Sequence, residues 1–226
     1  MSKNIVEAYI EFNGQLIILV SGLPGCGKLT LANNISRDLK IKLLEQDNYF
    51  KKDYNDKIEV KVENDTIEII NWYTDDAIDW EKFNKDIDLY KDKGVVVSGF
   101  SLPIDKIINK IDFHIHLNIS KQLCLERRVK CSEQYKKSDI VDKVIMNKFI
   151  YPYYIEARDK SKIDKYLNIT NLNDDQVYDT VFDLIIEFIK NYIKNNETKF
   201  QKNNNNDECK NIKITAELLE PTNLFI

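Results

Sequence analysis

Residues 21–30 read SGLPGCGKLT, and this glycine-rich segment constrains the fold more than any other part of the chain. Gly22, Gly27 and Lys28 match the pattern G-x-x-x-x-G-K, in which backbone N–H groups surround phosphate oxygens. An apolar run of strand length, residues 16–20, precedes the segment, and apolar residues spaced four apart follow it, as on the buried face of a helix. The order strand, glycine loop, helix therefore predicts a phosphate-binding loop.

The predicted ligand of this loop is a nucleoside triphosphate, with ATP as the expected cofactor. The helix that follows adds the positive end of its dipole, and Lys28 adds a mobile charge for the outer phosphates. A chance glycine turn is the alternative interpretation. The loop residues predicted to contact the nucleotide are Gly22, Leu23, Pro24, Gly25, Cys26, Gly27, Lys28, Leu29 and Thr30.

One position of the loop departs from the usual pattern. The residue after the lysine is normally Ser or Thr, because its hydroxyl binds the Mg²⁺ that bridges the terminal phosphates. Here it is Leu29, and Thr30 comes one residue later. One residue turns a helix by about 100°, so Thr30 is not expected to replace the missing ligand. The sequence predicts an intact phosphate cradle and lysine with a weakened Mg²⁺ site, whose protein ligands it leaves unknown.

Length and charge narrow the class of protein. The 226 residues suffice for one α/β domain with a large core, or for one domain with a small appendage. A net charge of −4 argues against a nucleic-acid partner and favours a small-molecule substrate. No apolar stretch reaches the ~20 residues that span a bilayer, and the first residues lack the apolar core of a signal peptide. We expect a cytoplasmic protein without a membrane partner, acting as a monomer or small homo-oligomer.

The cysteines and histidines do not form a metal-binding pattern. The four cysteines have no C-x-x-C spacing, which predicts a reduced, intracellular setting without a disulfide framework. Cys26 lies near a helix N-terminus and is either a reactive thiol or a small residue that fits the loop. His114 and His116 alternate within a strand-like run and are interpreted as sheet residues in preference to ligands.

Alternating strand and helix patterns predict a parallel sheet with helices on both faces. Residues 5–12 and 16–20 are interpreted as a hairpin that turns at Asn13-Gly14. Residues 58–70 alternate around Asn64-Asp65 and predict an inserted β-hairpin, and 75–90 are expected to form a helix. Further strands are predicted at 42–45, 94–97, 113–119 and 165–169. Further helices are predicted at 121–130 and in a second segment that ends at residue 146. A final amphipathic helix is predicted to carry Val177, Val181, Leu184, Phe188 and Tyr192 on one face.

Composition divides the chain into three parts. Residues 1–194 are predicted to form the phosphate-binding domain. Residues 195–211 are rich in Asn and almost free of apolar side chains, which predicts a disordered linker. Residues 212–226 form a C-terminal tail that is apolar enough to dock, although a tail without function is the default interpretation.

Several short segments in the same order resemble the uridine kinase superfamily, and most closely its nicotinamide riboside kinases. They are QDNYF at 46–50, Asn71-Trp72 followed by DAIDW at 76–80, Ser98-Gly99-Phe100, Arg127-Arg128-Val129 and YPYY at 151–154. The resemblance spans about residues 16–194. It implies an α/β P-loop NTPase fold, a three-layer sandwich whose five-stranded parallel sheet has helices on both faces, with an inserted β-hairpin and a short lid.

The resemblance also implies roles for individual residues. Asp47 matches the aspartate that orients or deprotonates the ribose 5′-hydroxyl, and a carboxylate at the end of a strand beside a phosphate loop fits that role. An aspartate that only caps a loop is the alternative. Arg127 and Arg128 match lid arginines that neutralise the transferring phosphoryl group, although a solvated helix face remains open for each. The implied catalytic set is Asp47, Lys28 and Arg128, and the implied substrate contacts are Asp47, Tyr49, Phe50 and Tyr73.

Three further positions depart from that family's pattern. Ser98 replaces a glutamate that holds the metal through its water shell, Tyr73 replaces a substrate-binding carboxylate, and Cys131 replaces an additional lid arginine. Together with Leu29 these changes suggest altered chemistry. The expected function is ATP-dependent phosphorylation of the 5′-hydroxyl of a ribonucleoside, either nicotinamide riboside or a pyrimidine nucleoside. The alternative is a nucleotide-binding protein with little or no kinase activity.

Overall fold

The computed structural model of the protein has a parallel five-stranded sheet at its centre. It describes residues 4–62, 65–100, 102–133 and 139–196, and for 131–133 and 139 it describes the backbone only. The strands are β1 (Ile17–Gly22), β2 (Lys42–Glu45), β3 (Lys57–Val62), β4 (Asp65–Ile70), β5 (Val95–Gly99), β6 (Phe113–Asn118) and β7 (Lys165–Asn168). The strand order in the sheet is β2-β5-β1-β6-β7, and a separate antiparallel pair, β3-β4, is the inserted hairpin that the sequence predicts.

The strand order places the phosphate loop at a crevice. The chain leaves β1 toward β2 and β5 on one side, then crosses to β6 and β7 on the other. Ligands bind to open α/β sheets where the strand order reverses, beyond the carboxyl ends of the strands. Ser21 pairs with Gly99, and Glu45 pairs with Ser98, so the ends of β1, β5 and β2 are level with one another.

Helices cover both faces of the sheet and create two apolar cores. The helices are α1 (Ile5–Asn13), α2 (Lys28–Leu39), α3 (Trp80–Tyr90), α4 (Lys121–Glu133), α5 (Asp139–Ile145), α6 (Tyr151–Asp159) and α7 (Asp174–Asn195), with a π-helical turn at Met146–Ile150. Helices α1, α2 and α7 pack on one face, and α3 packs on the other. On α7 the fully buried stripe contains Val181, Ile185 and Ile189, whereas the predicted Leu184, Phe188 and Tyr192 lie beside it and are partly buried.

The first element differs from the prediction of a hairpin, because residues Ile5–Asn13 form helix α1. The Asn4 side chain accepts a hydrogen bond from the Glu7 amide at 2.9 Å, and the Glu7 carboxylate accepts one from the Asn4 amide at 3.2 Å. This capping box is a helix-start signal that the sequence contains as Asn-x-x-Glu. Gly14 adopts φ +82° and closes the helix, so Asn13-Gly14 is a helix end and not a hairpin turn.

The segment predicted as one helix over residues 75–90 is divided. A 3₁₀ turn covers Asp75–Ala77, and α3 begins only at Trp80, where the Asp79 side chain accepts a hydrogen bond from the Lys82 amide at 3.0 Å. A short polar side chain before the first turn is a strong N-cap, which explains why the helix starts there.

The predicted linker and tail lie almost wholly outside the described residues, since the description ends one residue after α7, at Asn196. Their boundaries therefore stay predictions. Within the described residues, no helix combines the length and the apolar character needed to cross a bilayer.

Candidate active site

The phosphate loop has the backbone geometry that its glycines predict. Gly25 and Gly27 adopt φ +93° and +91°, a region that residues with a Cβ rarely enter. A Cβ added to Gly25 would lie 3.1 Å from the Cys124 carbonyl oxygen, so α4 approaches the loop too closely for a side chain. Gly27 is the N-cap of α2, and Lys28 is the first residue of that helix. This is the open helix N-terminus that favours phosphate binding.

Both predicted lid arginines lie over this loop. The position of a Cβ on Gly25 would be 3.7 Å from Arg127 Cβ and 3.7 Å from Arg128 Cγ. Arg127 Nη1 lies 3.5 Å from the Gly25 carbonyl oxygen. The structure therefore brings α4 and the phosphate loop together, and the role of these two arginines at the loop stays a prediction.

Arg128 also contacts helix α5. Its Nη2 lies 3.3 Å from Asp142 Oδ1. Burial raises the pKa of Tyr73 and Arg128 opposes that rise, whereas the charges of Asp142 and Asp47 add to it. Asp142 is a neighbour of the lid arginines that sequence reasoning missed.

Asp47 lies where a base or orienting carboxylate is expected. It is exposed in the 3₁₀ turn that follows β2, level with Gly22 and separated from it by β5. Two inter-strand spacings correspond to about 10 Å. The preceding residue, Gln46, is buried, and its Oε1 accepts a hydrogen bond from the Phe100 amide at 2.7 Å, which ties the ends of β2 and β5 together.

Two predicted substrate residues have packing roles. Tyr49 is buried against Phe83, with 4.7 Å between ring centroids, and its hydroxyl donates to Asp86 at 2.7 Å. The structure therefore does not bring the Tyr49 hydroxyl to the crevice. Phe50 packs on Trp72 at 5.0 Å, beside Tyr73, and so supports the wall of the site.

Oxygen ligands for a metal are sparse at the loop. Leu29 is 41% exposed at the start of α2 and carries no oxygen, and Thr30 is exposed beside it. Ser98 is buried at the end of β5. The described residues contain no group of three or more His, Cys, Asp or Glu side chains that could hold a metal ion. This donor set suits a Mg²⁺ ion held mainly by phosphate oxygens and water.

Cys26 is a packing residue of the loop. It is buried, and a Cβ on Gly22 would lie 2.7 Å from its Sγ. Burial raises the pKa of the Cys26 thiol even though Lys28 and Arg127 lower it. The thiol therefore stays protonated, which favours the small-residue interpretation over the reactive one.

A buried hydrogen-bond chain lies directly beneath the loop. Ser21 Oγ lies 2.7 Å from His114 Nε2 and 2.8 Å from His116 Nδ1. The other ring nitrogens contact the Lys162 carbonyl oxygen at 2.8 Å and the Tyr154 hydroxyl at 2.6 Å. The histidines are sheet residues, as predicted. The hydrogen-bond chain that they form with Ser21 and Tyr154 joins β1 to helix α6. Sequence reasoning missed the role of Ser21 and Tyr154.

The two histidines of this hydrogen-bond chain predict that the stability of the protein depends on pH. Burial lowers the pKa of both His114 and His116 from 6.5 to about 4, and these are the only two histidines of the protein. Between pH 6.5 and 4 the unfolded chain takes up protons that the folded chain does not, so the free energy of unfolding falls as the pH falls. We expect a loss of about 1.4 kcal/mol for each histidine one pH unit below 6.5. Urea unfolding of wild type and His116→Gln at pH 7.5 and 5.5 checks this, and equal losses in the two proteins would contradict it.

Comparison with known proteins finds solved structures that share the fold. No protein-family model and no curated protein sequence matches the chain. A sugar kinase from Janibacter sp. HTCC2649, solved without ligand, matches with a TM-score of 0.51 and 12% identity over 75% of this chain and 93% of that one. A protein from Silicibacter sp. TM1040, whose proposed assignment is a fructose transport system kinase, matches with a TM-score of 0.50 and 12% identity over 74% and 100%.

The fold is the predicted α/β three-layer sandwich, which these two solved structures share. The five-stranded parallel sheet, the helices on both faces and the phosphate loop confirm the predicted α/β P-loop sandwich. At 12% identity the likeness concerns the fold alone, and the resemblance to uridine kinases or nicotinamide riboside kinases stays a prediction.

Proposed function

We propose that the protein is an ATP-dependent phosphotransferase that acts on the 5′-hydroxyl of a ribonucleoside. One arrangement supports this most: an exposed carboxylate, Asp47, about 10 Å across the sheet from a phosphate loop that Arg127 and Arg128 cover. The ribonucleoside as acceptor comes from the resemblance of the short segments to nicotinamide riboside kinases and uridine kinases. The proposed cofactors are ATP and Mg²⁺.

In this proposal each residue has one task. The loop amides and Lys28 hold the β- and γ-phosphates, and a lid arginine neutralises charge on the transferring group. Asp47 accepts the proton of the acceptor hydroxyl while that oxygen bonds to the γ-phosphorus, and the bond to the β–γ bridging oxygen breaks to release ADP. Mg²⁺, when bound with ATP, supplies further charge neutralisation. Phosphate oxygens and water would hold this ion, because the loop lacks the usual hydroxyl at Leu29.

A nucleotide-binding protein with little catalysis is the second candidate. Two observations favour it: Leu29 leaves the usual metal position without oxygen, and Tyr73 places a phenol where the resemblance implies a substrate-binding carboxylate. Charge clamps are among the larger contributions to phosphoryl transfer, so their loss lowers the rate more than nucleotide binding.

ADP release distinguishes the two candidates. We expect at least one of uridine, cytidine and nicotinamide riboside to stimulate ADP formation from ATP with Mg²⁺ or Mn²⁺, at a rate well above that of Lys28→Ala. Lys28→Ala is the control because it removes the charge that holds the outer phosphates. ATP binding by calorimetry without any nucleoside-dependent turnover would support the binding protein instead.

A further inference from the structure

One part of the sheet surface on the α3 side lies between two helices. Helix α3 packs over the strands β1, β2 and β5, and α6 reaches β6 through the contact of the Tyr154 hydroxyl with the His116 ring. The connection from β5 to β6 lies between these helices, and its described residues 102–112 contain no helix. Because the apolar face of a sheet is normally buried against another element, this part of the surface is a candidate docking site.

A groove with a cavity volume of about 310 Å³ lies at this place, between residues 102–111 and 162–164. We call it the isoleucine groove. Buried apolar side chains such as Leu102 line it, and so do Ile104 and Ile108, which are 58% and 84% exposed. Ile108 is the most exposed large apolar side chain in the described part of the protein. Exposed apolar side chains beside an apolar cavity are typical of a surface that binds another chain segment.

The charges of the isoleucine groove indicate what binds there. Lys110 and Lys162 both line it, one on each of its two segments. Among the described residues, neither ammonium group has a carboxylate within 4 Å. Asp164 is the one carboxylate of the described lining, and its Oδ2 already accepts a hydrogen bond from the His114 amide at 2.8 Å. An occupant with apolar and acidic side chains therefore complements the groove.

The C-terminal tail of the chain has this chemistry. Residues 212–226 read IKITAELLEPTNLFI and lie outside the described part of the protein. Within them, Leu218 and Leu219 are flanked by Glu217 and Glu220. The tail thus contains adjacent leucines between two acidic side chains, and the groove contains exposed isoleucines beside two lysines that lack an acidic partner. The two surfaces match in both hydrophobicity and charge.

The end of α7 lies within reach of the groove. Asn195, the last residue of α7, lines a surface depression together with Phe113 at the start of β6. The next residue of β6, His114, lines the isoleucine groove on the other face of the sheet. The two sites are about 20 Å apart if each face carries one packing layer of about 10 Å. Residues 197–211 can span about 50 Å when extended and about 20 Å as a flexible chain, so they are long enough.

We propose that residues 212–226 dock in the isoleucine groove of the same molecule. Leu218 and Leu219 then cover the exposed isoleucines, and the flanking glutamates face the two lysines of the groove. A short connection gives the tail an effective concentration in the millimolar range, so a modest apolar contact is enough to hold it there. The inference does not depend on the proposed function, because no residue of the groove belongs to the phosphate loop or carries a proposed catalytic role.

Amide hydrogen exchange of the full chain, followed by mass spectrometry, tests the docking. We expect the amides of residues 212–226 to exchange at least about tenfold more slowly than in a synthetic peptide of the same sequence. Ile104→Asp with Ile108→Asp should bring them to within about twofold of the peptide, because it places two charges in the groove. Leu89→Asp is the matched control, since Leu89 is 62% exposed on α3 and does not line the groove, and the tail should stay protected.

A charge exchange tests which side chains meet. Lys110→Glu with Lys162→Glu should speed the exchange of the tail amides at least about fivefold, because like charges then face each other. Adding Glu217→Lys with Glu220→Lys should restore the protection, since the charges are again opposite. Slow exchange of the β1 amides verifies that each variant is folded. Protection of the tail should be the same at low and high protein concentration, because a contact within one molecule does not depend on concentration.

Four results would overturn the inference. They are exchange of the wild-type tail at the rate of the free peptide, protection that survives Ile104→Asp with Ile108→Asp, a charge exchange that does not restore protection, and protection that grows with protein concentration. The last result would assign the groove to the tail of a second copy of the chain.

Discussion

Replacing Asp47 by asparagine is expected to lower kcat for the best nucleoside by about 10²–10⁴-fold, the usual contribution of a positioned general base. Asparagine keeps the shape of the side chain but cannot accept the hydroxyl proton. Asp47 is exposed and lies across β5 from the loop, so ATP affinity should change little. Steady-state kinetics with the ADP-release assay, together with ATP calorimetry, measure the two effects separately.

Asp53 offers a matched control for this substitution. It is an exposed aspartate six residues further along the same connection, so Asp53→Asn makes the same chemical change at a second exposed position. A kcat for Asp47→Asn within about twofold of the Asp53→Asn value would mean that Asp47 caps a loop and takes no part in proton transfer. Equal, large losses in both variants would indicate a general effect of charge on the connection.

The second large effect is a gain. The double substitution Leu29→Thr with Ser98→Glu should raise kcat by about tenfold to a hundredfold. It adds one direct and one water-mediated oxygen ligand for Mg²⁺, and together these contribute about 1.4–3 kcal/mol to transition-state stabilisation. Both ligands act on charge that develops during transfer, so KM should change less than kcat. Leu29 is exposed, and its replacement leaves no cavity in the core.

Leu29→Val with Ser98→Gln is the matched control, since it has nearly the same shapes without the hydroxyl and the carboxylate. It should show no gain, and adding Asp47→Asn to the double variant should remove the gain, because the nucleophile must still be oriented. Ser98 is buried, so thermal unfolding must show that the glutamate is tolerated. A folded, ATP-binding double variant without activity on any nucleoside would favour the binding protein, with Tyr73 as the next residue to change.

The parts of the protein that local patterns encode could be predicted from the sequence. The glycine loop, its flanking strand and helix, and the inserted hairpin all lie within short segments whose hydrophobic period and turn residues indicate one structure. The position of Asp47 at the end of a strand follows from the order of those segments, whereas Arg127 and Arg128 were expected at the loop only from the resemblance to uridine kinases. Helix α1 is the exception, since its alternating apolar residues also fit a strand, and the capping box of Asn4 and Glu7 was the discriminating signal.

Other features depend on contacts between residues far apart in the chain. The Ser21–His114–His116–Tyr154 chain joins two strands and a helix through hydrogen bonds that no sequence period describes. Tyr49 matches a functional motif, yet its ring packs in the core against α3. Side-chain direction at the end of a strand depends on what packs there, and this is a property of the tertiary structure.

The sequence by itself determined that the chain builds a glycine-rich loop between a strand and a helix of a parallel sheet, because glycine geometry and apolar periodicity are local properties. Only the tertiary structure decided how the two lid arginines differ. Asp142 lies 14 residues beyond Arg128 and on another helix, and its pairing with that arginine and not with Arg127 depends on how α5 packs beside α4. The charge available at the loop is therefore set by packing, since a buried carboxylate can compensate only the cation that the fold places next to it.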